Sequence, residues 1–360
     1  MEFLLFVLVV VFVFEYINGF HDAANAIATV VSTKVLSPRQ AVILAALFNL
    51  AGALSGEAVA KTVGAGLVDT AYVTTLTILC AMLGGIVWNL FTWWLGLPSS
   101  SSHALIGGLC GAALASAGNN WSVIKWSVEK TDPATGAIIR DGLFHKVIVP
   151  MISSPLAGLA GGFLFMTALL MLIANWRPAR VNAVFGKLQI GSAAYMGWAH
   201  GFADAQKTMG VIALATYAAT KAGDLENLPP GFGFLYNPTF EIHLWVKLSC
   251  AAVMAAGTWT GGWRIIRTLG QKLVALRPVH GFAAEAAGAT ILLVAGRWGM
   301  PVSTTHSITT AIMGVGLAKR RSSLHMPTVN RIVIAWVFTI PVTALLAYLL
   351  FQTFKAMGVE

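Results

Sequence analysis

Apolar residues run along this chain in long blocks instead of alternating with polar ones. They occupy stretches near 3–31, 38–56, 72–96, 98–118, 143–174, 187–220, 242–262, 282–298, 300–318 and 327–352. About 20 such residues suffice for one helical crossing of a bilayer, and lipid requires each backbone polar group to be paired within the protein, which a helix does unaided. The pattern predicts an all-α polytopic membrane protein with about 10–12 transmembrane or re-entrant helices. Two blocks look re-entrant: "PSSSSHALIGGLCGAALASAG" from Pro98 and "PVSTTHSITTAIMGVGLAK" from Pro301 each open with proline, continue in hydroxyls and end in small residues. Residues 56–67 read as a short amphipathic helix along the interface. Glu2 precedes the first apolar run where a secretory signal carries basic residues, so residues 1–31 are expected to be mature structure.

Set against itself, the chain repeats. "GFHDAANAIA" from Gly19 aligns with "GFADAQKTMG" from Gly201, "AKTVGAGL" from Ala60 with "IRTLGQKL" from Ile266, and "LPSSSSHA" from Leu97 with "MPVSTTHS" from Met300. Three matches in one order indicate duplication. The expected organisation is a first repeat over 1–118, a polar loop over 119–142, connecting spans over 143–186, a second repeat over 187–320 and a C-terminal span over 321–360. Duplicated transporters place their substrate site where the two halves meet and helices are interrupted.

The polar residues inside these blocks fall on that expected junction. In a helix over 15–29, Glu15, Asn18, Asp22, Asn25 and Thr29 share one stripe, and His200, Asp204, Lys207 and Thr208 share another. His200, Asp204 and Lys207 align with Asn18, Asp22 and Asn25. An ionisable group within a span is expensive and by default faces a protein cavity; the structural alternative is an Asp22–Lys207 ion pair joining the halves. Each hairpin places hydroxyls after its proline: Ser99, Ser100, Ser101 and Ser102, then Ser303, Thr304 and Thr305. Proline favours the first helical turn, so each run is read as the N-terminus of a helix, where unpaired amides and hydroxyls form an anion site. His103 and His306 follow and are read as supporting or satisfied core histidines.

Composition agrees with this reading. Hydrophobic residues make up 57% of the 360 and charged residues only 10%, where a soluble domain carries about 25% charged. The net charge of +9 does not point to nucleic acid, because the basic residues sit in short loops: Lys34 and Arg39; Arg177, Arg180 and Lys187; Arg264, Arg267, Lys272 and Arg277; Lys319, Arg320, Arg321 and Arg331. Such clusters mark the cytoplasmic face. The acidic, Pro- and Gly-rich stretch 221–241 is then outside, as is the N-terminus. Cys80, Cys110 and Cys250 lie in apolar segments without metal or disulfide spacing and read as packing residues.

"GFHDAANA", "GFADAQKTMG" and the two hairpins resemble the paired signatures of the inorganic phosphate transporter (PiT) family, over both halves of the chain. The resemblance implies a helical transporter of two inverted-topology repeats that moves phosphate together with a coupling cation. The family pattern, roughly G-x-N-D-x-x-N in each half, falls here on Gly19, Asp22 and Asn25 and on Gly201 and Asp204. His21 and Ala203 stand where Asn is usual, and Lys207 replaces the second half's final Asn. "HGFADAQKTMG" is similar to the bacterial branch, often taken to be proton-coupled. Lysine offers donors only, whereas sodium wants oxygen ligands, so a proton is the expected coupling cation, with sodium the alternative.

The expected substrate-binding residues are Asp22, Asn25, Ser100, Ser101, Ser102, Asp204, Lys207, Ser303, Thr304 and Thr305. Cation coupling is assigned to His21, Asp22 and Asp204, with no resident metal and no cofactor. The expected partners are inorganic phosphate and the lipid bilayer of the plasma (inner) membrane, not nucleic acid; a homo-oligomer is left open. An aspartate beside the anion accepts a hydrogen bond from protonated phosphate, which fully ionised sulfate lacks. Elsewhere, Glu15 is either a proton relay or structural, Lys247 and Glu285 are expected to pair, and Lys61 and Arg267 read as solvated basic residues. An intramembrane hydrolase is disfavoured because GxSxG is missing and both halves repeat the same residues. A divalent-metal transporter using His21, Asp22, His200 and Asp204, a metal–phosphate carrier and a sulfate carrier remain as rivals.

Overall fold

The first apolar block and its polar extension form one unbroken helix, α1 (Glu2–Ser32), in a computed structural model that describes residues 1–131, 136, 138–319 and 323–359. Eleven further helices follow among the described residues: α2 (Pro38–Ala53), α3 (Ala58–Lys61), α4 (Thr75–Leu95), α5 (Ser101–Ser116), α6 (Val149–Leu172), α7 (Pro178–Lys221), α8 (Leu244–Thr260), α9 (Trp263–Arg267), α10 (Pro278–Arg297), α11 (Thr304–Lys319) and α12 (Met326–Ala356). Among the described residues five helical segments are individually long and apolar enough to cross a bilayer, and α2 with α3 and the π-turn that follows it passes the same test as a pair bent by 67°. At 44 residues, α7 is about 66 Å long. It therefore takes up Arg180 and Lys187, which the sequence places in a loop. Of the basic cluster near 319–331, Arg320 and Arg321 lie outside the described residues.

From α7 onward the element order repeats that of α1–α6. In each half a short α-turn passes into a π-turn, Thr62–Gly66 after α3 and Thr268–Lys272 after α9, and the fifth helix opens with hydroxyls and a histidine. Helices α6 and α12, divided off in the sequence reading as connecting and C-terminal spans, occupy matching places in this order. Each packs on the other half's hairpin helix, α6 against α11 and α12 against α5.

Two further matched crossings, which carry the repeated motifs, join the halves. Helix α1 packs on α8, and α2 on α7. A Cβ on Gly19 would lie 2.5 Å from Met254 O, and one on Gly201 would lie 2.1 Å from Asn49 O. The glycines of the two repeated motifs are therefore needed for backbone approach, the small-residue packing that joins membrane helices. The buried apolar residues form two clusters. One holds Leu4–Phe14 of α1 with α4, α5, α8 and the second half of α7; the other holds Ala24–Val30 of α1 with α2, α6, α10, α11 and the first half of α7. The polar stripes of α1 and α7 lie where these clusters meet.

Three expectations change. The 56–67 stretch is not an interfacial helix: Val59, Ala60 and Val63 are fully buried, and Gln206 on α7 accepts the Val59 amide at 2.9 Å. Its lone basic residue, Lys61, is exposed, as is Arg267, in line with their solvated reading. The 119–142 loop carries a turn at Trp121–Val123 and a short antiparallel hairpin of β1 (Val128–Thr131) and β2 (Ile138–Asp141), within an architecture that is otherwise α-helical. Residues 132–135 and 137 of that loop lie outside the described residues. Lys247 does not pair with Glu285. It meets Glu57 at 3.1 Å, while Glu285 accepts from Thr29, Ser192 and Gln189, hydroxyls and an amide that reach it from α1 and α7. The three cysteines are free and buried.

Candidate functional site

Helix α1 brings Asp22 and α7 brings Asp204 to the same buried place. The two carboxylates and His200 offer ligand atoms that all lie within 4.8 Å of one another. Asp22 and Asp204 are about as buried as any residue in the chain, 1% and 0% exposed, and Lys207 is 3% exposed. The ammonium of Lys207 pairs with Asp204, one helical turn before it, and not with Asp22 as the structural alternative had it. It also donates to Ser102 of the first half and, at 3.0 Å, to Val302 O. Burying two carboxylates near each other is unfavourable unless charge and hydrogen bonds compensate, and this lysine supplies the compensating charge.

The two hairpin helices begin at this cluster. Pro98 and Pro301 lie three residues ahead of the first helical residues Ser101 and Thr304, outside the helices rather than in their first turns. Ser100 caps α5 by accepting the His103 amide at 3.1 Å, and Ser303 accepts the His306 amide at 3.1 Å. These two serines therefore hold the helix ends, and the next two residues of each hairpin meet the acids. Ser101 Oγ reaches Asp22 Oδ2 at 2.5 Å and Asn18 Oδ1 at 2.7 Å. Thr304 donates to Asp204 Oδ2 at 2.8 Å and Thr305 to Asp22 Oδ1 at 3.3 Å. Asn25 Nδ2 donates to Thr304 and Thr305 at 3.1 and 3.0 Å. The leading amides of both helices are the groups a helix leaves without internal partners, and they accompany these hydroxyls.

Of the expected residues, Asp22, Asn25, Ser101, Ser102, Asp204, Lys207, Thr304 and Thr305 form one connected cluster, with Ser100 and Ser303 just behind it. His21 is joined to it from the side: Nδ1 lies 2.8 Å from Asp22 Oδ1 and Nε2 3.2 Å from Thr92 Oγ1. Not among the expected residues is His200, whose Nε2 lies 3.1 Å from Asp204 Oδ2 and whose Nδ1 is 3.1 Å from Asn49 Oδ1. Asn49 in turn donates to Thr258 at 2.9 Å. His200 is aligned with Asn18 across the repeat, a signal that both touch the site. Asn49, Thr92 and Thr258 gave no signal, being isolated polar residues in apolar runs. His103 and His306 are not satisfied core histidines. Their rings meet edge to face at 4.8 Å, and among the described residues His306 has no hydrogen-bond partner on either nitrogen.

Ser101→Ala removes a hydroxyl that joins the first hairpin to a charged carboxylate, a bond contributing about 1.5–3 kcal/mol. The expected result in reconstituted vesicles is about a ten- to hundredfold loss of phosphate uptake, with Ser99→Ala, one position outside the cap, much milder. Equal effects at the two positions would contradict the geometry.

Residues 18–347 match the phosphate transporter family. The chain belongs to that family. A Bacillus subtilis protein named "Probable low-affinity inorganic phosphate transporter" is 41% identical over 335 residues, covering 92% of this chain and 91% of that one. A Rhizobium meliloti protein of the same name is 43% identical, covering 93% and 92%. A solved structure titled "The sodium-dependent phosphate transporter" shares the fold, with a TM-score of 0.80 over 99% of this chain and 100% of that one, at 21% identity. This member of the phosphate transporter family is thus a multi-pass membrane protein of the plasma membrane and a transporter, not an enzyme.

Proposed function

We propose that this phosphate transporter family member is a proton-coupled symporter of inorganic phosphate, built from two inverted-topology repeats with the N-terminus outside and the basic loops inside. The observation that carries this reading is the convergence of two helix tips and two carboxylates, one of each from either half, on a single buried cluster. Phosphate is held by Ser101, Ser102, Thr304, Thr305, Asn25, Lys207 and the leading amides of α5 and α11, all of which can donate. Asp22 and Asp204 accept from the protons of phosphate. Sulfate has no proton to give at neutral pH, and leaving a buried acceptor without a partner costs about 1–3 kcal/mol. Alternating access follows if the two halves rock about the shared site.

Coupling to protons is supported by Lys207. Its ammonium lies between Asp204, Ser102 and Val302 O, where an alkali cation would meet a fixed like charge. Reconstituted protein is expected to accumulate phosphate when the outside is acidic, without sodium, and to prefer phosphate over sulfate. Accumulation driven by a sodium gradient alone would contradict it. A second reading, carriage of a divalent metal–phosphate complex, is favoured by the close approach of Asp22, His200 and Asp204. Phosphate uptake that requires the metal, with both entering together, would support that reading.

A further inference from the structure

Glu15 is a fully buried carboxylate that the substrate cluster does not use. It lies on the stripe of α1 seven residues before Asp22, which is two turns or about 10 Å along the helix. It is 0% exposed, and its contacts are neutral donors: Thr208 Oγ1 at 2.5 Å and Asn18 Nδ2 at 3.2 Å, both to Oε2. Among the described residues Oε1 has no hydrogen-bond partner. A charge buried without a salt bridge is costly, so a carboxyl in this setting has reason to carry a proton for part of its working cycle.

The same side chain is wired to the helix tip. Asn18 gives its amide N–H to Glu15 and takes the Ser101 hydroxyl on its Oδ1 at 2.7 Å, and Ser101 Oγ is also 2.5 Å from Asp22 Oδ2. One hydroxyl proton thus stands between two acceptors. An ionised Glu15 holds the Asn18 amide firmly and keeps its Oδ1 aimed at Ser101. A protonated Glu15 weakens that hold and releases the hydroxyl toward Asp22 or a bound anion. We infer that Glu15 is the positioning residue that takes up and releases the coupling proton, its protonation being read at the site through Asn18 and Ser101. This rests on the proton-coupled reading above and adds to it the residue that carries the proton.

The groups around Glu15 leave this role to it. On its own helix stand His21 and Asp22. From α7 come His200, Asp204 and Lys207. From α8 come Cys250 and Lys247, the latter paired with Glu57. Helix α5 contributes His103, while α4 carries no Asp, Glu, Lys, Arg or His. Asp204 is paired with Lys207, and Asp22 accepts from His21, Ser101 and Thr305.

The test is phosphate uptake by purified protein in proteoliposomes, with Glu15→Gln, Asn18→Ala and the double variant, each assayed under an acid-outside gradient and in phosphate counterflow without one. Wild-type protein that takes up phosphate but ignores the pH gradient would refute the proton-coupled reading itself. Given a responsive wild type, Glu15→Gln is expected to lose about tenfold or more of the gradient-driven accumulation, the size of a typical coupling between sites, while counterflow continues. Asn18→Ala, which also frees Ser101 at the site, is expected to lose at least as much gradient-driven accumulation, and the double variant to be no worse than Asn18→Ala alone. Gradient-driven accumulation retained in Glu15→Gln, counterflow lost with it, or additive losses in the double variant would each overturn the inference.

Discussion

Asp204→Asn is expected to lower phosphate uptake by at least about 100-fold, since removing one partner of a buried ion pair costs about 3–5 kcal/mol. Asp204 receives Lys207, Thr304 at 2.8 Å and the approach of His200 at 3.1 Å. Asparagine keeps the shape but leaves the Lys207 ammonium, 3% exposed, without a counter-charge. Two consequences are separable. The unpaired charge lowers thermal stability, which Asp204→Asn combined with Lys207→Met should restore. Transport should remain absent in the double variant, because both the acceptor and the cationic donor have gone. Recovery of transport along with stability would mean that the pair only holds the halves together.

Gly201→Val is expected to deplete folded protein. A Cβ there would stand 2.1 Å from Asn49 O, and the facing Gly52 is equally tight, 2.0 Å from Trp198 O. Neither obstacle is a flexible side chain, so the added methyls must force α2 and α7 apart. Overpacking costs about 1–3 kcal/mol and more where the backbone must move. Asn49 also holds His200, so separation of these helices disturbs the approach to Asp204 as well. Melting of the detergent-solubilised protein measures the effect. Gly186→Ala on the same helix, where a Cβ meets nothing within 4 Å, should melt like the wild type. Matching losses at both positions would contradict the close-crossing explanation.

Hydrophobic blocks and self-alignment made much of the architecture legible, because lipid imposes length and composition on each span. Helical periodicity likewise places Asp22 and Asn25 on one polar stripe and Asp204 and Lys207 on another. The hydroxyl runs were harder. Four serines in a row give no sign of which one caps the helix, and a shift of one residue decides whether Ser100 or Ser101 meets Asp22. Glu285 shows a different limit: two opposite charges in spans of the same half, Lys247 and Glu285, suggest a pair, but the neighbours of Glu285 are Thr29, Gln189 and Ser192, polar residues brought from distant stretches. Residues 56–67 misled because the amphipathic pattern of an interfacial helix is also that of a broken span packed on α7 with Lys61 at its rim. Asn49 and Thr258 were invisible for a related reason, since their value lies in bonding each other and His200 across 209 and 151 positions.

Arsenate, a phosphate mimic with an anomalous X-ray signal, tests the shared oxyanion site most directly. Crystals grown with arsenate should show one arsenic peak within hydrogen-bonding reach of Ser101, Ser102, Thr304, Thr305 and Lys207, flanked by Asp22 and Asp204. A peak held by one half alone, or one remote from both hairpin tips, would contradict the account.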